Sequence, residues 1–189
     1  MSYLRWALTA LAFPIAGWLA VQVAGESVGP LSAAITGAIA GALIGAAQWA
    51  ALGRLAGWRW VIATMLGLGA GGALASLLTA GSITVGALAL TGLVTGALVG
   101  AGQGIALRRG PRTALVWAIG VALSWAIGWV VSALVITTGA GGFVIFGISG
   151  AVVVTILTGL LLRRIVGARP APEAPPTAVG TLARTGAVR

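Results

Sequence analysis

Six apolar stretches, each about 20 residues long, divide the chain at 5–24, 31–52, 58–78, 83–107, 113–136 and 142–162. At about 1.5 Å of rise per helical residue, each is long enough to cross a hydrocarbon core of about 30 Å. None carries a charge away from its ends. A soluble domain keeps about a quarter of its residues charged to cover its surface. Only 7% of this chain is charged, 59% is hydrophobic and the mean hydropathy is +1.10, so its surface is suited to lipid rather than water. The expected fold class is an all-α polytopic membrane protein with six transmembrane helices.

Short connectors join these stretches, at 25–30, 79–82 and 137–141 on one side and at 53–57 and 108–112 on the other. Helices linked so tightly are expected to be antiparallel neighbours, so the six pair into three hairpins. The first set of connectors holds no Arg. Arg5, Arg54, Arg59, Arg108, Arg109, Arg112, Arg163, Arg164, Arg169, Arg184 and Arg189 all fall on the other side. Positive residues stay cytoplasmic, which predicts a plasma-membrane protein with both termini in the cytoplasm. The first stretch is read as a retained span, because its apolar run is long for a signal peptide and no clear A-x-A cleavage site follows it.

The inventory of side chains removes most chemistry. The chain has 11 positive residues, all Arg, two Glu (Glu26 and Glu173), and no His, Cys, Lys or Asp. Thiolate nucleophiles, iron–sulfur ligation, His-based triads and the usual metal sites are therefore excluded. The expectation is a non-enzyme with no cofactor and no metal. Its net charge of +9 does not point to nucleic acid, because the arginines are scattered singly or in pairs rather than gathered into one stripe.

An internal repeat runs through the chain. Gly37, Gly41, Gly45, Gln48, Leu52 and Arg54 recur 55 positions later as Gly92, Gly96, Gly100, Gln103, Leu107 and Arg109, and again as Gly147, Ala151, Thr155, Thr158, Leu162 and Arg164. Trp6, Trp60 and Trp117 each open an odd-numbered stretch. The repeating unit is a two-helix hairpin, covering about 1–55, 56–110 and 111–165, and each copy starts on the same side. Parallel repeats of this kind are related by an axis along the membrane normal, which predicts a pseudo-threefold bundle. At about 100° per residue, positions 37, 41, 45 and 48 fall at about 0°, 40°, 80° and 20°. That narrow glycine stripe ends on a Gln. Close backbone approach through such faces supplies much of the packing between helices in lipid. The same expectation covers Gly67 with Gly71, and Gly120 with Ser124 and Gly128, while Pro14 is expected to distort the first span.

Two readings attach to Gln48, Gln103 and Thr158. As packing residues, the amides hydrogen-bond between helices. As a polar ring, the three line an axial opening for a neutral solute; no ionisable group in the membrane interior is available to couple transport to ions or protons. Trp6, Trp49, Trp58, Trp60 and Trp117 are placed by the pattern in an aromatic belt at the cytoplasmic interface, with Trp125 and Trp129 packing deeper. The Pro-rich segment 166–189 cannot bury a core and is read as a disordered cytoplasmic tail.

Through Gly45-x2-Gln48-Trp49-x2-Leu52-x-Arg54 and Gly100-x2-Gln103-Gly104-x2-Leu107-x-Arg109, the chain resembles uncharacterised bacterial multi-pass inner-membrane proteins built from repeated glycine-rich hairpins. The resemblance implies a fold and a location over residues 1–165, but no activity. The three-hairpin plan of mitochondrial carriers does not match, because their Pro-x-acidic-x-x-basic element is absent. The sequence thus favours a structural or accessory membrane component whose partners are the lipid bilayer and either itself or another membrane protein. A passive channel or transporter for a small neutral solute is the alternative.

Overall fold

The computed structural model describes residues 3–26, 29–135 and 147–167. Among these residues are six helices long and apolar enough to span a membrane. They are α1 (Tyr3–Ala24), α2 (Pro30–Leu52), α3 (Arg59–Thr79), α4 (Val85–Ala106), α5 (Pro111–Val135) and α6 (Ile148–Gly167). Within α1 the backbone tightens into a 3-10 turn at Thr9–Leu11. Pro14 follows one turn later and lacks the N–H that would bond the Ala10 carbonyl, so the expected distortion sits at its N-terminal side.

The turns follow from local chemistry. Pro30 opens α2, where a missing N–H costs nothing. Just ahead of it, the Gly29 N–H donates to Ser32 Oγ at 3.0 Å. Thr84 caps α4 by accepting from the Ala87 N–H at 3.3 Å. Gly25 and Gly53 end α1 and α2 at φ of 80° and 55°, in the left-handed region that glycine enters without a Cβ clash.

Each helix packs against its neighbours in the chain, and α6 packs back onto the first half of α1, so the six close into a ring. Large apolar side chains point outward around it: Leu4, Leu31, Leu66, Ile105 and Leu134 are all exposed. Polar side chains turn inward, with Thr64, Gln103, Ser124, Ser132, Thr155 and Thr158 buried. Lipid accounts for that arrangement, because hydrocarbon solvates Leu well and hydroxyls and amides badly.

Glycines set how closely the helices approach. A Cβ built on Gly37 would lie 2.5 Å from the Leu68 carbonyl oxygen, and one on Gly41 would lie 2.7 Å from the Thr64 oxygen, so α2 meets the backbone of α3 directly. Gly92, Gly96 and Gly100 meet α5 in the same way, at 2.5 Å from the Trp125 oxygen, 2.8 Å from Trp125 Cβ and 2.8 Å from Ala118 Cα. Gly67 and Gly71 carry α3 against Val99 and Thr95 of α4, at 2.6 and 2.7 Å from their Cα atoms. Gly45 sits less tightly, with Thr64 Cβ and Val61 Cα both at 3.0 Å.

The last helix differs from the sequence reading at both of its ends. It starts at Ile148 and runs to Gly167, so Arg163 and Arg164 ride on its final turns instead of following it, and their long side chains can reach the interface from there. The α5–α6 connector and residues 142–146 lie outside the described residues, as do Arg169, Arg184, Arg189 and the tail from 168 onward. Every Arg among the described residues lies at one end of the ring, which also carries the start of α1 and the end of α6.

Candidate functional site

The most organised polar cluster of the described residues lies inside the ring toward the arginine-bearing end. Trp60 on α3, Trp117 on α5 and Trp6 on α1 are 0%, 1% and 1% exposed. The expectation of an interfacial belt therefore fails for these three. Only Trp49 and Trp58 of the five proposed members are exposed, and the Arg59 guanidinium sits 5.8 Å from the Trp58 ring centre. The sequence misled because a Trp at a helix end serves equally well at a lipid headgroup or in a bundle core; what decides is the face it occupies.

An indole N–H buried in hydrocarbon needs an acceptor, and each of these three has one. Trp60 Nε1 donates to Gln48 Oε1 at 3.0 Å, and Trp117 Nε1 donates to Gln103 Oε1 at 3.2 Å. Trp6 Nε1 donates to the main-chain carbonyl of Thr155 at 2.9 Å. Because an indole only donates, both amide oxygens must face the rings, and this fixes how the amides lie. Gln103 Nε2 is then left to donate to Gln48 Oε1 at 3.2 Å and to Thr64 Oγ1 at 2.9 Å. The Thr64 hydroxyl passes its own proton to the Trp60 carbonyl at 2.8 Å. One continuous network thus joins α2, α3, α4 and α5, and the Trp60 and Trp117 rings lie 5.8 Å apart, tilted by 52°.

Thr158 shares this level but not the network. Its hydroxyl donates to the Val154 carbonyl of its own helix at 2.6 Å. Gln48, Gln103 and Thr158 surround a common gap of about 10 Å³ together with Trp6, Trp117 and Val121. A single water needs roughly 10–15 Å³, so the interior is nearly filled at this level. Sequence reasoning found the two amides through the glycine stripe and placed Thr155 in the third copy of the repeat, but missed Thr64 and the inward turn of the Trp residues. The usable signal was that a buried amide on a helix contact face needs donors and acceptors of matching kind, and Trp6, Trp60 and Trp117 recur at the right end of the adjoining helices.

Toward the arginine-free end the interior widens into a cavity of about 290 Å³. Ala40, Leu68, Thr95 and Trp125 lie at its inner end, and Thr79 and Ser82 line it where α3 turns into α4. Phe13 of α1 packs against Trp125, with ring centres 5.7 Å apart and the rings tilted by 51°. Hydroxyls on these helices generally return a hydrogen bond to the carbonyl four residues back: Thr79 to Ala75 at 2.8 Å, Ser124 to Gly120 at 2.7 Å, and Thr36 to Ser32. Thr95 Oγ1 does not. It is buried and has no hydrogen-bond partner, as is Thr155 Oγ1, a condition that costs about 1–3 kcal/mol in a dry interior.

Among the described residues, no three His, Cys, Asp or Glu side chains come together to hold a metal ion. The fold defines the class of the molecule, a multi-pass membrane protein with no strand among its described residues. No protein-family model, curated protein or solved structure matches the chain.

Proposed function

We propose that the chain is a structural or accessory component of a bacterial cell membrane, with both termini in the cytoplasm and no enzymatic activity of its own. Three tandem hairpins related by an approximate threefold axis make up its body. The observation that carries this reading is the filled Trp–Gln level. A passive channel needs a continuous wet path, yet the interior narrows from about 290 Å³ to about 10 Å³ where Gln48 and Gln103 meet. Those amides are spent on each other, on Thr64 and on two indoles, and are not held open for a passing solute.

The repeat is supported by the pattern of donors. In each case the Trp of an odd helix donates to the even helix just before it in the ring: α3 to α2, α5 to α4, and α1 to α6. In the third pair, where Thr158 stands in place of Gln, the acceptor is the main-chain carbonyl of Thr155. The clustering of arginines at one end supports the orientation. Such a body presents an apolar exterior to lipid or to a second membrane protein.

The test is permeability. Proteoliposomes holding the purified protein are expected to take up water and uncharged osmolytes no faster than protein-free vesicles. Uptake that scales with protein content, and that falls when Gln48, Gln103 and Thr158 are all changed to Leu, would replace this proposal with the channel reading.

A further inference from the structure

We infer that the α4–α5 turn and the end of α6 together form a site for the headgroup of an anionic phospholipid that carries two phosphates. Two pieces of chain far apart in sequence meet there. The Arg109 guanidinium donates at 3.2 Å to the carbonyl of Ile165, one of the last carbonyls of α6, which the helix itself leaves unbonded. That bond brings Arg108 and Arg112, which lie on either side of Arg109, up to Arg163 and Arg164, which precede Ile165. All four are exposed. No carboxylate of the described residues is at hand to neutralise them, because Glu26 follows α1 at the opposite end of the ring. A guanidinium fork binds two oxygens of one phosphate at once, and a head with a single phosphate would leave most of this charge unmatched.

The backbone supplies a second observation. Arg108 has a φ of 53°, in the left-handed region, and Gly53, 55 positions earlier at the end of α2, has a φ of 55°. Glycine enters that region freely, whereas a residue with a Cβ is strained there. The α4–α5 turn thus keeps a charge at a position that glycine suits better, and strain of this kind gathers at ligand clamps. Lipid is the occupant, and not a soluble phosphate, because the arginines stand over apolar surface. Ile105, Leu115 and Leu160 lie three residues deeper than Arg108, Arg112 and Arg163 and are 73%, 61% and 48% exposed, so acyl chains can lie below a head that the arginines hold. The α2–α3 turn offers less: it has Arg54 and Arg59, and the Arg59 guanidinium already lies against the Trp58 ring. The site is on the outer surface of the ring and stands whether or not the Trp–Gln level is impermeable.

The test is native mass spectrometry of the full chain in a neutral detergent, titrated with tetraoleoyl cardiolipin, whose head carries two phosphates, with dioleoyl phosphatidylglycerol and with dioleoyl phosphatidylcholine. The wild type is expected to bind one cardiolipin more tightly than either of the others. One charge near an anionic lipid is worth about fivefold, so Arg108→Gln with Arg112→Gln, and likewise Arg163→Gln with Arg164→Gln, are expected to weaken cardiolipin about 25-fold. Arg54→Gln with Arg59→Gln removes the same charge and is expected to leave cardiolipin binding nearly unchanged. Arg108→Gly relieves the strain and removes the charge, so it is expected to unfold at higher dodecyl sulfate than the wild type while binding cardiolipin about fivefold more weakly. An arginine that serves the fold alone would not part those two readouts. Equal binding of cardiolipin and phosphatidylcholine by the wild type would overturn the site, and so would an equal loss in the Arg54 and Arg59 variant, which would mean diffuse charge only. Full displacement of cardiolipin by inorganic pyrophosphate would overturn the lipid in favour of a soluble phosphate compound. The comparison of lipids on the wild type needs no variant, so it decides the matter even if a variant misfolds.

Discussion

Trp6 Nε1 donates to the Thr155 carbonyl across 2.9 Å, so the first helix is tied to the last and the ring is shut by a bond between residues 149 positions apart. Gly159 admits the ring edge, since a Cβ there would come within 2.7 Å of Trp6 Cδ1. Trp6→Phe keeps most of the ring and loses the N–H; it is expected to lower stability by about 0.6–1.7 kcal/mol, the range for hydrogen bonds between helices in membranes. Trp6→Ala, which also empties the space, is expected to cost about 3–5 kcal/mol. Unfolding in a graded mixture of mild detergent and dodecyl sulfate measures both, and a Trp6→Phe variant as stable as the wild type would mean the bond contributes nothing beyond packing.

Two glycines of α4 are expected to respond to alanine with opposite signs. At Gly92 the new methyl meets the Trp125 carbonyl at 2.5 Å, and backbone cannot step aside, so overpacking is expected to cost about 1–3 kcal/mol. At Gly86 nothing lies within 4 Å, and the better helix propensity of Ala is expected to add about 0.5–1 kcal/mol. The same detergent titration reports both.

Orientation is open to direct chemistry because the chain has no cysteine. A Ser82→Cys variant places a thiol between α3 and α4 at the arginine-free end, and a Gly57→Cys variant places one at the arginine-bearing end. A membrane-impermeant maleimide added to intact cells is expected to label the first and spare the second until the membrane is broken. The reverse pattern would mean that the arginines lie outside.

Much of this architecture is legible in the residues themselves. The six spans are set by where charges and polar connectors interrupt an apolar chain, and lipid enforces that pattern strictly because each helix must satisfy its own backbone. The glycines of α2 and α4 show themselves through their four-residue spacing. Helix ends are less legible: α6 runs five residues beyond Leu162, where the uninterrupted apolar stretch ends, to Gly167, since Arg can stay helical while its head reaches the interface. The tryptophans are the least legible. In lipid both faces of a helix are apolar, so hydropathy carries no sign of which way Trp60 or Trp117 turns. Only the hydrogen-bonding need of the indole, matched to Gln48 and Gln103, settles the direction.

The claim that matters most is that Gln48 and Gln103 act as cement and not as a conduit, and a double-mutant cycle tests it most directly. Gln48→Leu, Gln103→Leu and the double variant are compared by unfolding in detergent. Each single change strands an indole N–H and removes the amide–amide bond, and is expected to cost about 1–3 kcal/mol. The double is expected to cost less than the sum by about 0.6–1.7 kcal/mol, because the bond between the two amides can be lost only once. Single variants as stable as the wild type, with strictly additive effects in the double, would contradict the account and leave these amides free for the solute path it denies them.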